Sequence, residues 1–219
     1  MNSARKSRAP LAASRSILVP IRRLTAKIAG FACKNGTLNF PQKGHEFALN
    51  TESARDAVYA YLDSLGISYR SMHHAPAATM ADCEAVSAAL GATECKNYFL
   101  TTKSHKIFCL LLTRPNARFK TADVSKQAGT PRLSFADEND MARLLSTYPG
   151  AVSPMGLIFD SENQVRLLVD SALRTTDELA FHPCDNSESL AMKTVDFLNL
   201  FLPALKKSPE WIEIHDFEA

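Results

Sequence analysis

The 219-residue sequence has no pair of cysteines at C-x-x-C spacing. Its five cysteines (Cys33, Cys83, Cys95, Cys109 and Cys184) are odd in number and scattered. That pattern argues against a disulfide frame or a zinc knuckle and suits reduced thiols in a cytosolic compartment. Long apolar runs are missing too. The longest candidates, residues 107–112 and 195–202, are strand- and helix-sized, well short of the roughly 18 residues a membrane span needs, so no membrane partner is expected. Glycine is sparse, at eight residues, and no phosphate loop emerges. The stretch from Gly91 to Lys96 lacks the second glycine before the lysine and the hydroxyl residue after it. Ser153 has the wrong spacing for a G-x-S-x-G nucleophile elbow. His73-His74 with Cys83, and His182-Pro183-Cys184, lack a second ligand pair, so neither a metal nor another cofactor is expected.

Acidic residues are absent from residues 1–45, which hold nine Lys or Arg; residues 46–219 hold 16 basic and 23 acidic side chains, a net of −7 against the whole-chain +2. An acidic body opposes phosphates, so any RNA would have to be met by a local basic patch or by the N-terminal arm. The arm reads as a disordered extension, as an Arg-rich mitochondrial presequence, or as residues upstream of the functional start. The corresponding localisation is cytoplasmic, with mitochondrial as the alternative. The domain division that follows is 1–45 extension, 46–207 catalytic domain and 208–219 tail.

Within the body, residues 51–65 space Ala54, Val58, Leu62 and Leu65 as one helical face, ended by Gly66. A short strand follows at residues 67–72. Thr79, with Asp82 three positions on, opens a second helix that Gly91 closes. Residues 97–101 and 106–113 read as a hairpin, and residues 157–160 and 165–170 as a second one. Helices are expected near 122–128 and 138–146, a strand at 179–181, and a last helix over 195–202 capped by Thr194. The tail, with the only tryptophan, Trp211, either docks on the body or hangs free. The order predicts an α/β fold with a mixed, largely antiparallel sheet and surrounding helices.

Three pieces carry chemistry. Lys96-Asn97 puts a cation and an amide at the head of an apolar strand, suited to a phosphate or an ester carbonyl. The segment from Pro149 to Gly156 has two Pro and two Gly within eight residues, a rigid loop whose backbone can approach a ligand or hold an oxyanion. His182, held extended by Pro183, offers a donor or a proton shuttle. Taken singly, each also reads as ordinary structure: a solvated lysine, a tight turn, a packed histidine.

In combination they resemble a known family. The strings KNYFL (96–100), YPGAVSPMGL (148–157), FHPCDN (181–186) and TVDFLNLFL (194–202), with His74, Thr79 and Val169-Asp170, are similar to the YbaK/prolyl-tRNA synthetase editing-domain family. The nearest subgroup is PrdX, the free-standing alanyl-tRNA(Pro) deacylases. The resemblance spans about residues 51–205. It implies a metal-free hydrolase that attacks the aminoacyl ester of a mischarged tRNA, alanyl-tRNA(Pro) first, with water; the alternatives are a cysteinyl-tRNA(Pro) or other deacylase of the YbaK type and a non-catalytic tRNA- or synthetase-binding relative. In it Lys96, Gly150 and His182 act in catalysis; Asn97, Ser153, Pro154, Gly156, His74 and Thr79 bind substrate. The implied partners are the acceptor end of mischarged tRNA and prolyl-tRNA synthetase. Tyr98 and Cys184 depart from the family pattern, where an aliphatic residue and a small or polar residue are usual. Lys103, Lys106, Arg114, Arg118, Lys120, Lys126 and Arg132 are expected to supply the local basic patch.

Overall fold

The computed structural model describes the backbone of residues 33–34, 37–38, 51–76 and 80–215, and the side chains of residues 52–76 and 85–215. The chain divides into two compact units, Met1–Asn39 and Phe40–Ala219. Of the first, an antiparallel pair is described, β1 (Cys33–Lys34) with β2 (Thr37–Leu38). The basic arm and Thr79 otherwise lie outside the described residues.

The second unit runs α1 (Thr51–Ser64), β3 (Tyr69–His73), α2 (Met80–Leu90), β4 (Thr93–Glu94), β5 (Lys96–Thr102), β6 (Phe108–Thr113), α3 (Thr121–Gln127), β7 (Leu133–Phe135) and α4 (Glu138–Leu145). A 3-10 segment (Pro154–Phe159), β8 (Val165–Asp170), a second 3-10 segment (Ser171–Thr175), β9 (Glu178–Phe181) and β10 (Glu188–Lys193) follow. The chain closes with α5 (Thr194–Asp196), a π segment (Phe197–Phe201), α6 (Leu202–Ala204) and β11 (Glu210–Ile212). Among the described residues no helix is long and apolar enough to cross a membrane.

The strands form two mixed sheets, ordered β3-β10-β9-β4 and β11-β8-β6-β5-β7. Strand alternation explains how both are covered. On β6, Phe108, Leu110 and Leu112 enter the layer between the sheets, while Cys109 and Leu111 face outward under α3. On β9 and β10, Leu179, Phe181, Leu190 and Met192 enter the same central layer, and Ala180 and Ala191 face outward against Leu90. The apolar face of α1 closes the central layer with Val58 and Leu62, both fully buried. Each contributes about 1.5–3 kcal/mol. Gly66 and Gly91 end α1 and α2 with φ of +67° and +64°, a conformation that costs glycine little.

One feature joins the sheets. β4 belongs to the four-stranded sheet and β5 to the five-stranded one, and Cys95 alone separates them. The chain therefore passes from one sheet to the other at Cys95.

The second predicted hairpin is not formed. Pro154 starts a 3-10 turn, capped by the Ser153 hydroxyl accepting from the Met155 N–H at 3.2 Å, so residues 157–159 are helical. β8 pairs in parallel with β6 instead. The C-terminal segment docks: β11 adds a parallel edge to β8, and the Arg174 guanidinium lies 4.2 Å from the Trp211 ring centroid.

Candidate active site

β4 pairs in parallel with β9, Thr93 opposite Leu179 and Glu94 opposite Ala180, and the last bond of the junction runs from the Cys95 N–H to the Ala180 carbonyl at 3.3 Å. Extending that register by two residues would face Lys96 with His182. The strands separate there because β5 has entered the other sheet. Alternation along β5 puts Lys96 and Tyr98 on the outer face of the five-stranded sheet and Asn97 and Phe99, with Cys95 before them, on the inner side, which agrees with Cys95 and Phe99 lying in the central core and Tyr98 packing on the outer one. Lys96 and Asn97, adjacent in sequence, are thus sent to opposite faces. The Asn97 Nδ2 donates to the Cys95 carbonyl at 3.1 Å, and its Oδ1 is buried without a hydrogen-bond partner among the described residues.

His182 is fixed by its neighbours. Its Nδ1 lies 2.9 Å from the Glu188 carbonyl, which can only accept, so Nδ1 carries the proton. His74 is set the same way by the Ala75 carbonyl, 2.8 Å from its Nδ1, and its Nε2 accepts from the Ser189 hydroxyl at 2.9 Å. The Ser189 Oγ is also 3.3 Å from the His182 Nδ1, and the two imidazoles are 5.9 Å apart. Neutral His182 therefore leaves Nε2 as an acceptor. Burial depresses the His182 pKa, with His74 acting in the same direction, against the opposing pull of the Glu188 carbonyl, Glu94 and Asp185.

The loop that carries His182 is tied on two sides. Tyr148 donates its hydroxyl proton to Asn186 Oδ1 at 3.0 Å and accepts from the Asn186 N–H at 3.3 Å, which brings the 148–153 loop against it. Gly150 has φ of +90°, and a Cβ there would lie 3.5 Å from Asn186 Nδ2. From α1, the Tyr59 hydroxyl donates to Glu188 at 2.8 Å, and Arg55 approaches Asp185 at 3.9 Å and Glu188 at 3.8 Å. Burial alone would raise the Asp185 carboxyl, but the N–H and hydroxyl of Ser187, with Arg55 beyond, outweigh it and hold it low.

The remaining sequence candidates divide. His74 is part of the His182 cluster. Ser153 is fully buried and spent on its cap, and Pro154 is buried at the first turn of the 3-10 segment. Gly156 is pressed against α4: a Cβ would stand 2.7 Å from the Leu145 carbonyl oxygen. Cys184 is wholly buried, and burial pushes its thiol up to about 12, which leaves it protonated and unreactive. Sequence reasoning missed Arg55, Tyr59, Glu94 and Ser189. Arg55 and Tyr59, four apart on α1, were the one legible signal, since two polar side chains one helical turn apart share a neighbour.

The expected basic patch is not a single one. Arg114 is committed to Asp170, with a contact at 2.9 Å. Lys103 and Lys106 lie on the β5–β6 turn, at the end of β5 away from Lys96. Among the described residues, one group has metal-ligand spacing, His105, Asp137 and Asp140. Its acceptors are engaged: Asp137 caps α4 through the Asp140 N–H, and Asp140 pairs with His105 and Arg143.

Comparison with known proteins places the chain in a family. Residues 74–200 match the family profile described as the aminoacyl-tRNA editing domain. The Acetoanaerobium sticklandii prolyl-tRNA editing protein ProX is 29% identical over 143 residues, covering 65% of this chain and 87% of that protein. The Danio rerio prolyl-tRNA synthetase associated domain-containing protein 1 is 26% identical over 157 residues, covering 71% and 84%. A solved structure described as a candidate trans-editing enzyme for prolyl tRNA synthetase superposes with a TM-score of 0.57 at 15% identity, covering 74% of this chain and 98% of the other, a likeness of fold.

Proposed function

Since the chain belongs to the aminoacyl-tRNA editing domain family, we propose that it is a trans-editing hydrolase that deacylates mischarged tRNA, with alanyl-tRNA(Pro) as its substrate. The observation that carries this reading is the notch where β4 and β9 part. There Lys96 opens β5 two residues after Glu94, His182 follows Ala180 by two on the facing strand, and Tyr148–Asn186 ties the Gly150 loop to the His182 loop.

An aminoacyl ester is already activated, so orientation and oxyanion stabilisation suffice without a side-chain nucleophile. Lys96 supplies a cation for the phosphate of the terminal nucleotide. The Gly150 backbone, at a φ that other residues resist, permits close approach of the ester. The Nε2 of neutral His182 accepts a hydrogen bond from the attacking water or the α-ammonium group. The need for such an enzyme is physical. A proline-activating site cannot firmly reject the smaller alanine, because a missing methylene is worth only about 1–3 kcal/mol, so a second and smaller pocket clears the error. ProX, named as a prolyl-tRNA editing protein, supports the tRNA(Pro) assignment, and prolyl-tRNA synthetase is the partner this implies.

The test is deacylation of a panel of mischarged tRNAs by the wild-type chain and Lys96→Ala. Hydrolysis of alanyl-tRNA(Pro), reduced at least tenfold in the variant, is expected. Turnover confined to cysteinyl- or seryl-tRNA would reassign the pocket, and no turnover on any ester would end the enzymatic reading.

A further inference from the structure

We infer that the outer face of the five-stranded sheet, from Lys96 across Tyr98 and Phe119 to Phe135, is a stacking platform for the unpaired nucleotides that precede the 3′ terminus of the RNA. This rests on the deacylase reading of the neighbouring notch and extends it to how the acceptor end is held.

Phe135 is 64% exposed, high for a phenylalanine on a strand. It stands opposite Leu100 in the β5–β7 register, so it shares the outer face with Leu100, Tyr98 and Lys96. α3 covers the lower part of that face, where Leu133 and Val124 are buried, and leaves Phe135 uncovered. Tyr98 bridges the row: its ring centroid lies 4.8 Å from Phe119 and 6.2 Å from Phe135, at interplanar angles of 64° and 59°. These rings meet at steep angles rather than face to face, so Phe135 keeps ring surface for another π system.

The charge around the row selects the occupant. Arg118 and Lys120 flank Phe119 and are both exposed, and Lys96 heads the row. Asp137, two residues beyond Phe135, accepts from the Asp140 N–H as the cap of α4. Aromatic rings interleaved with cations suit a single-stranded nucleic acid, since each base offers a π face and each phosphate a charge. The row also leads away from the notch. Lys96 and the residue opposite Phe135 are four positions apart on β5, roughly 13 Å along the strand. A terminal nucleotide at Lys96 would thus lay its unpaired predecessors over Tyr98 and Phe135.

The full chain is titrated by fluorescence anisotropy with an RNA hairpin bearing an unpaired ACCA 3′ end, and with the same hairpin cut to a blunt end. Phe135→Leu keeps apolar area and removes the π face; Phe135→Trp keeps both. The wild type should prefer the overhang. Phe135→Leu should weaken overhang binding about tenfold, the order of one stacked base. Phe135→Trp should bind as the wild type, with Tm unchanged in both because the side chain is exposed. Equal affinity of the wild type for the two hairpins, absence of RNA binding, or wild-type overhang affinity in Phe135→Leu would each overturn the platform. If the wild type deacylates tRNA but shows no overhang preference, the platform alone fails. If it prefers the overhang but deacylates nothing, the enzymatic reading alone fails.

Discussion

At the scale of single residues, the site is governed by which atoms hold protons. His182 and His74 both face carbonyls through Nδ1, so each ring holds a proton there, and Ser189 lies between them against the His74 Nε2. Burial lowers the His182 pKa, so His182 stays neutral to a pH below the ordinary histidine value of about 6.5. Two consequences share one sign. Deacylation should be flat from about pH 8 down to about 6.5 and fall only below it. The folded state should also lose stability on acidification below about 6.5, because the unfolded chain binds a proton that the buried ring resists. A pH–rate profile checks the first, and histidine ¹⁵N shifts at neutral pH check the tautomer, with Nδ1 protonated and Nε2 not. A rate midpoint above 6.5, or protonation at Nε2, would contradict the assignment. The sequence identified His182 and His74 singly. It could not reveal their coupling, because Ser189 has no motif and reaches both rings only once β10 pairs with β3 and β9.

At the scale of elements, contiguous patterns were legible and non-local pairings were not. The face of α1, the closing glycines and the hairpin of β5 with β6 follow from periodicity and turn residues. The apolar run at 157–159 was misread because a short buried run looks alike as strand or helix. Pro154 and the Ser153 cap decide for a 3-10 turn, and β8 finds its partner across a long crossover. The switch between sheets at Cys95 was equally hidden, since β4 is two residues long and is defined by its pairing with Leu179 and Ala180. The same 3-10 turn yields a stability prediction. In Gly156→Ala the new methyl would meet the Leu145 carbonyl oxygen at 2.7 Å and the Leu145 Cβ at 2.9 Å, so the turn or α4 must shift. Such overpacking costs about 1–3 kcal/mol. Urea unfolding should show a lower midpoint for Gly156→Ala, and an unchanged midpoint would mean that the turn is looser than its contacts indicate.

At the scale of the whole molecule, charge sets how RNA can be held. Residues 46–219 carry a net of −7 by count, so general attraction to phosphate is absent from the body and binding there falls to a few local cations. Lys96, Arg118 and Lys120 are the cations that head or flank the aromatic row. Three phosphate contacts on a single strand give a slope of log affinity against log salt of about −2. The nine Lys or Arg of residues 1–45 are a separate reservoir. If they meet the RNA stem, the full chain should show a slope steeper by several units than a chain lacking residues 1–45, while that shorter chain keeps its preference for an unpaired 3′ end. Titrations of both chains between 50 and 300 mM salt measure the difference directly. Equal slopes would exclude the arm from RNA binding. A slope steeper than about −4 in the shorter chain would require more cations than the aromatic row offers and would extend the binding surface beyond it.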